Sequence, residues 1–254
     1  MMIITTQCTG GKYTPILPHW IARIKDKCPK AEVIIIEHLL LQLDKSKYAW
    51  WDVNRLVFIV ELLKENNEPV VHCDIDVIVE KDLTPLVSLP YDFIISTEVT
   101  GWPQELTSRL GFGLCSGFYI VKPGAIPFLE TLLSKMTTSE SYSDQVNLMR
   151  YILDQDYTVT QSEYGKVISA PGMPQILGLD IKHVTRDPVF QREQYANHIN
   201  IDNVGGTQMF IKFFYNPMES LPLTCRCGKT YLGDRSICPH IDMRKNKLNN
   251  SDNN

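Results

Sequence analysis

Hydrophobic and polar positions follow two alternating periods along the first half of the chain, one suited to strands and one to helices. The apolar opening from Met2 to Thr6 predicts a strand, and Tyr13 to Lys27 a helix broken early by Pro15 and Pro18. Glu32 to Glu37 holds an unbroken Val33-Ile34-Ile35-Ile36 run, the pattern of a strand covered on both faces. Tyr48 to Asn66 places Trp51, Leu56, Ile59, Leu62 and Leu63 near helical spacing, and Glu68 to Val71 predicts the next strand. These two and a half βα repeats predict an α/β fold, a mostly parallel twisted sheet flanked by helices.

The second half is less regular. Phe93 to Ser96 and Gly117 to Val121 predict strands, while Ile126 to Met136 and Ser143 to Leu153 predict helices. Ser143 suits an N-cap, with Asp144 in the first turn where the helix dipole favours a negative charge. Gly165 to Gly206 is rich in Pro, Gly and polar turns, and predicts long loops around a few short strands. We expect a single domain over residues 1–218. A cysteine-containing extension should follow over residues 219–254, ending in an Asn-rich tail with too little to bury to be ordered.

Composition narrows the class. With 254 residues, 44% of them hydrophobic, the chain can enclose one large core. A net charge of -4 argues against a surface built to neutralise nucleic-acid phosphates or to lie on an anionic membrane. The most apolar stretch, Val33 to Leu43, is interrupted by Glu37, His38 and Gln42, and falls short of the roughly 20 residues needed to cross a bilayer. Met1 to Lys12 lacks the charged start and apolar run of an export signal, so a soluble, cytoplasmic protein is expected. Cys8, Cys28, Cys73 and Cys115 lie scattered in apolar surroundings, as reduced thiols do. Cys225, Cys227, Cys238 and His240 form a possible zinc set, but the Cys-x-Cys spacing is tight and free thiols are the favoured reading.

The sharpest chemical signal is Val70-Val71-His72-Cys73-Asp74-Ile75-Asp76-Val77-Ile78-Val79, two carboxylates one residue apart in an apolar segment. On an extended chain residues 74 and 76 share a side, so both acids would meet at one point. Buried without a partner, each would cost several kcal/mol, on the order of what desolvating an ion costs. A Mn²⁺ or Mg²⁺ ion removes that cost and, if it keeps open positions, takes up a diphosphate. The bland alternative is that one aspartate caps a turn while the other pairs with a cation. Gly10-Gly11-Lys12 lacks the earlier glycine and the following Ser or Thr of a phosphate loop. No Gly-x-Ser-x-Gly elbow and no His-Glu-x-x-His helix is present, which removes the common hydrolase readings.

Taken in order, these elements resemble the GT-A nucleotide-diphospho-sugar glycosyltransferases, in particular glycosyltransferase family 8 and its relatives. Asn54-Arg55-Leu56 is similar to the family's Ala-Arg-Leu element, and Asp74-Ile75-Asp76 to its metal motif. Cys115-Ser116-Gly117 resembles its Asn-x-Gly strand, with cysteine in place of asparagine, and Asp144-Gln145 its Asp-Gln motif. His198, followed by Gly205-Gly206 and Lys212, is a longer-spaced version of its His-x-x-Gly-x-x-Lys element. The resemblance spans about residues 1–215 and implies a metal held by Asp74, Asp76 and His198. It also implies a uridine or guanosine diphosphate sugar met by Thr5, Thr6, Thr9, Arg55, Asp74, Ile75, Ser116, Gly117 and Lys212. Asp144 and Gln145 become the catalytic pair, a glycan or other hydroxyl-bearing molecule the acceptor, and retention of anomeric configuration the outcome. Inversion would instead need a base such as Asp144 or Asp180. Trp102, in Gly101-Trp102-Pro103, is the best aromatic candidate on the acceptor side. Two other readings are a nucleotidyltransferase that makes sugar nucleotides, and a non-catalytic binding module on the same fold.

Overall fold

The computed structural model describes residues 1–8, 10–37, 41, 43–44, 46–47, 49–98, 102–186, 194–199, 210–211, 223–224 and 230–231. For Lys12, Thr185, Arg186, Leu223, Thr224, Thr230 and Tyr231 it describes the backbone alone. Thr9, His38, Gly205, Gly206, Lys212, the three late cysteines, His240 and the Asn-rich tail all lie outside the described residues.

Strand β1 (Ile3–Gln7) leads through a 3-10 segment (Gly11–Ile16) into α1 (Leu17–Lys27), and β2 (Glu32–Ile36) follows. Next come α2 (Trp50–Asn66), β3 (Val70–Cys73), β4 (Val77–Val79), α3 (Thr84–Val87), β5 (Phe93–Glu98) and α4 (Gln104–Leu110). Then follow β6 (Gly113–Val121), α5 (Ile126–Thr138), α6 (Asp144–Leu153), β7 (Thr158–Gln161), β8 (Gly165–Ser169), β9 (Ile176–Leu179), β10 (Val184–Arg186) and β11 (Ala196–His198). Eight strands form one sheet in the order β2-β1-β3-β6-β5-β9-β8-β7. Tracing the pairings, β1, β2, β3, β5, β7 and β9 run one way, while β6 and β8 run against them, so the sheet is mostly parallel in strand direction. A smaller sheet, β10-β11-β4, flanks it.

Each face of the large sheet covers its own core, as alternation along the strands requires. On one face Ile4, Val71, Ile94, Phe118 and Ile120 pack with Trp20 and Ile24 of α1. On the other Ile3, Val70, Phe93, Ile95 and Tyr119 pack with Val53, Leu56 and Ile59 of α2, Leu129 and Leu132 of α5, and Val146 and Met149 of α6. Fully burying one such side chain stabilises by roughly 1.5–3 kcal/mol, so these layers hold the edge where the acidic residues sit.

Several expectations are corrected. The helix expected over Tyr13 to Lys27 is two pieces: Pro15 lies in the 3-10 segment, and α proper starts at Leu17 with a proline in its first positions, where no amide is needed. Asp74 and Asp76 do not alternate along a strand. β3 ends at Cys73 and β4 begins at Val77; between them the chain turns, with the Val77 N–H donating to the Asp74 carbonyl at 2.9 Å. Within Gly165 to Gly206 the short strands are β8 to β11, while residues 187–193 and 200–206 lie outside the described residues. α4 and β7 were not foreseen: α4 has only seven residues, and β7 is an exposed edge strand with no apolar alternation to read.

Candidate functional site

The site lies where the acidic turn, the middle of β6, the first turns of α2 and α6, and β11 meet. Its frame is an irregularity in β6. Tyr119 pairs with Ile95 and Cys115 with Ser96, so Ser116, Gly117 and Phe118 have no partner on β5 between those pairs. Such a bulge re-aims the strand. Here it brings the Gly117 carbonyl under the turn, where it accepts the Asp74 N–H at 2.7 Å.

Asp74, Asp76 and His198 each offer a ligand atom, all within 4.8 Å of one another. β11 runs antiparallel to β4 with His198 opposite Val77, which places its imidazole beside the turn. His198 Nε2 is 3.2 Å from Asp76 Oδ1 and 4.0 Å from Asp74 Oδ2. Its Nδ1 edge is 3.4 Å from Cys115 Sγ. Burial alone would lower the His198 pKa, but the Asp76 carboxylate and the Cys115 contact override it and raise it well above its ordinary value. Two carboxylate oxygens and one imidazole nitrogen, with no thiolate among them, are a donor set that could hold a divalent cation such as Mn²⁺ or Mg²⁺.

That raised pKa has a measurable sign. Without metal, His198 carries a proton shared with Asp76, a stabilising pair present below its unfolded pKa and lost as pH rises through the elevated folded value. A metal ion must displace that proton. Mn²⁺ affinity is therefore expected to rise as pH is raised from 6 to 8. Titration calorimetry in two buffers of different ionisation enthalpy should detect proton release; equal apparent heats would contradict the pairing.

Beside the triad sits a buried cation. Arg55, 4% exposed, places Nη1 3.1 Å from Asp74 Oδ1 and Nη2 2.5 Å from Asp144 Oδ2 and 3.1 Å from Asp52 Oδ1. One guanidinium thus serves three carboxylates through its separated nitrogens, which a lysine could not do. Burial drives the Asp52 pKa well up, against the pull of Arg55, and Asp144 adds to the rise. For Asp74 burial acts in the same upward sense but loses to the His72 hydrogen bond and Arg55, which leave its carboxyl well below the usual range. His72 has its own pKa lowered by burial and Arg55. A neutral His72 satisfies both neighbours: Nε2–H donates to Asp74 Oδ1 at 3.1 Å, and Nδ1 accepts from the Thr5 hydroxyl at 3.2 Å.

Gln145 closes the opposite side. Its Oε1 accepts the Ser116 N–H at 3.4 Å, and its Nε2 donates to Glu98 Oε1 at 3.4 Å and to the Trp102 carbonyl. Glu98 also accepts the Trp102 N–H at 3.2 Å, so the Trp102 backbone is anchored while its side chain remains half exposed. Beneath, a small cavity is lined by Leu56, Ile95, Ser116, Tyr119, Asp144 and Gln145.

A family model for nucleotide-diphospho-sugar transferases matches residues 53–184, which is 132 of the 254 residues. The chain belongs to this family. Its fold is that of the GT-A glycosyltransferases. A glycosyltransferase involved in glycosylation of the major capsid of PBCV-1 superposes with a TM-score of 0.57 at 12% identity, covering 84% of this chain and 98% of that one. The galactosyltransferase LgtC, solved with donor and acceptor sugar analogs, gives a TM-score of 0.51 at 12% identity, covering 84% and 95%. The bifunctional glycosyltransferase WbbM gives 0.51 at 11% identity; the match covers 85% of this chain and 49% of WbbM. No curated protein matches significantly.

In this nucleotide-diphospho-sugar transferase Asp74, Asp76, His198, Arg55, Gly117, Ser116, Asp144 and Gln145, expected from scattered stretches, come together at one edge of the sheet. Thr5 is buried in β1 and reaches the cluster through His72, and Thr6 is fully buried, its hydroxyl without a hydrogen-bond partner. The Ile75 side chain turns into the core. Asp180 sits after β9, where its carboxylate accepts the Lys182 N–H. No helix of the described residues is long and apolar enough to cross a membrane. Asp52 and Glu98 were missed. Glu98 had a signal, an acid ending an apolar strand.

Proposed function

We propose that the protein is a metal-dependent glycosyltransferase that moves a sugar from a uridine or guanosine diphosphate donor to an acceptor hydroxyl. The observation that carries this reading is the convergence of Asp74, Asp76 and His198 at the sheet edge of a nucleotide-diphospho-sugar transferase. Open α/β sheets bind ligands at such edges. Mn²⁺ bound there would supply neutralisation of the charge that grows on the departing diphosphate.

The protein's own groups divide the remaining work. Asp74 and Asp76 hold oxygens toward the ion, and His198 completes the set from β11. Gln145 and Ser116 line the donor sugar's place, with Glu98 and Trp102 on the side from which an acceptor would enter. Asp144 is tied to Arg55 at 2.5 Å and accepts the Gln145 N–H, so its carboxylate is engaged rather than turned to an acceptor hydroxyl, which supports retention over an inverting mechanism that relies on it. Arg55 is engaged by three carboxylates, so its role at the donor is to set the acids in place rather than to grip phosphate.

Titration calorimetry with a panel of nucleoside-diphosphate sugars, with and without Mn²⁺, followed by a diphosphate-release assay, tests this reading. Metal-dependent binding with diphosphate release is expected. Binding without turnover would favour a binding module, and no binding across the panel would overturn the proposal. Asp76→Asn should lose metal-dependent binding by about 100-fold or more, while shifting stability by only about 1 kcal/mol, because its amide still accepts from His198.

A further inference from the structure

Just before α4 the chain carries a large aromatic side chain into solvent while its main chain is held fast. Trp102 is 49% exposed, and among the described large hydrophobic residues that reach solvent only the terminal Met1 is more so. A single exposed hydrophobic residue needs no explanation in itself. This one differs in what holds it. Its N–H donates to Glu98 Oε1 at 3.2 Å, and its carbonyl accepts from Gln145 Nε2; both of those side chains are buried. Gln145 turns its other end, Oε1, to the Ser116 N–H at 3.4 Å, one residue from the Gly117 carbonyl that accepts the Asp74 N–H. The strand order runs the same way, since β6 with Ser116 lies between β3, which leads into the acidic turn, and β5, which ends at Glu98. The acidic turn, Ser116, Gln145 and Trp102 therefore form one row along the sheet edge, with Trp102 at its outer end.

We propose that the Trp102 indole is the platform for the acceptor, and that the acceptor is itself a sugar, a pyranoside stacked on the indole with one hydroxyl turned toward Gln145. This rests on the sugar-transfer reading and extends it to the class of acceptor. With a diphosphate on the metal at the acidic turn, the row leaves the donor sugar beside Ser116 and Gln145. The next place outward, over Trp102, belongs to the molecule that attacks. Its oxygen forms the new glycosidic bond, the bond from the anomeric carbon to the diphosphate breaks, and the hydroxyl proton passes to the departing diphosphate. A pyranose carries C–H groups on its ring faces and hydroxyls round its rim, and a planar indole covers a face of that size. Because Trp102 is already anchored, little freedom is lost when it is covered. Glu98 and Gln145 border the indole with polar groups for the rim hydroxyls, the mix of apolar wall and a few placed polar groups by which small molecules are held. A seryl or threonyl hydroxyl on a peptide offers no flat face to match. Both anchors of Trp102 engage its main chain, so replacing its side chain removes the platform and leaves the anchors in place.

The test uses the full chain and its Trp102→Ala and Trp102→Phe variants, with Mn²⁺ and UDP or GDP present. The probes are methyl glycosides of glucose, galactose, mannose and xylose, set against peptides bearing serine, threonine or tyrosine. Saturation-transfer NMR reads binding, and transfer from whichever nucleotide sugar the wild type uses reads acceptor KM and kcat. The wild type is expected to saturate the ring C–H protons of at least one glycoside and to transfer to it. Trp102→Ala should raise the KM of that acceptor roughly 5–20-fold with a smaller change in kcat, the pattern of lost ground-state binding. Trp102→Phe keeps a flat face and should raise it by about threefold or less. An acceptor KM that Trp102→Ala leaves unchanged would overturn the proposal. So would transfer to a peptide but to no glycoside, or a wild type that saturates none of the glycosides. A wild type that binds no nucleotide with Mn²⁺ would refute the transferase reading instead, and glycoside NMR on wild type and Trp102→Ala would then decide the platform alone.

Discussion

Gly117→Ala is expected to cost the protein its metal site while leaving the fold standing. A Cβ on residue 117 would lie 2.2 Å from His198 Cε1, 2.5 Å from His198 Nδ1 and 3.1 Å from Asp74 Oδ2. Real atoms do not approach so closely, and Gly117 carries the carbonyl that accepts the Asp74 N–H, so its backbone is not free to retreat. The imidazole must move instead. Gly117 is not among the residues with positive φ, so alanine meets no backbone penalty, and the effect is confined to what the new methyl displaces. Disturbing the support of a metal ligand lowers affinity by roughly 10–100-fold, and overpacking costs about 1–3 kcal/mol. Electron paramagnetic resonance titration with Mn²⁺ should show that loss alongside a modest fall in Tm. Unchanged Mn²⁺ affinity would mean that His198 is not a ligand.

The largest stability effect is expected at Arg55. Replacing it with alanine strands Asp52 and Asp144, both buried, and removes one of the partners of the partly exposed Asp74. Breaking a buried ion pair by deleting one partner costs roughly 3–5 kcal/mol. For a chain of this size that corresponds to a Tm drop of about 6–20 °C. Lysine should not rescue, because one ammonium cannot span nitrogens that serve separate acids. The sign with pH follows from Asp52, whose folded pKa already lies above its unfolded value through burial. A group raised in the folded state stabilises at low pH and loses that contribution as pH rises through the folded value. Without Arg55 that rise is larger, so the variant should lose more stability relative to wild type at pH 8 than at pH 5. Thermal melts of wild type, Arg55→Ala and Arg55→Lys at both values provide the comparison. A lysine variant that melts with wild type would contradict the three-way role.

The βα order of the first half was legible because buried strands and amphipathic helices leave their periods in the sequence. Val33 to Ile36 and the spacing through Leu56, Ile59 and Leu63 led to β2 and α2 within two residues. The two aspartates were legible for a different reason: acids in an apolar segment demand a partner. Which partner was not readable. A metal ion was the favoured partner and a turn cap with a protein cation the alternative, and the folded chain sets Arg55 on Asp74 and His198 on Asp76. His198 lay in a polar stretch with no periodicity, and only the pairing of β11 with β4 carries it to the turn. Asp52 was hidden in the same way, because what gives it a role is the burial of Arg55 beside it.

The most direct trial of the metal-centred site is an anomalous difference map from crystals soaked in Mn²⁺ with UDP or GDP. A single strong peak bonded to Asp74, Asp76 and His198, with the diphosphate on its open side, is the result predicted here. Diphosphate bound away from those residues, with no manganese between them, would contradict it.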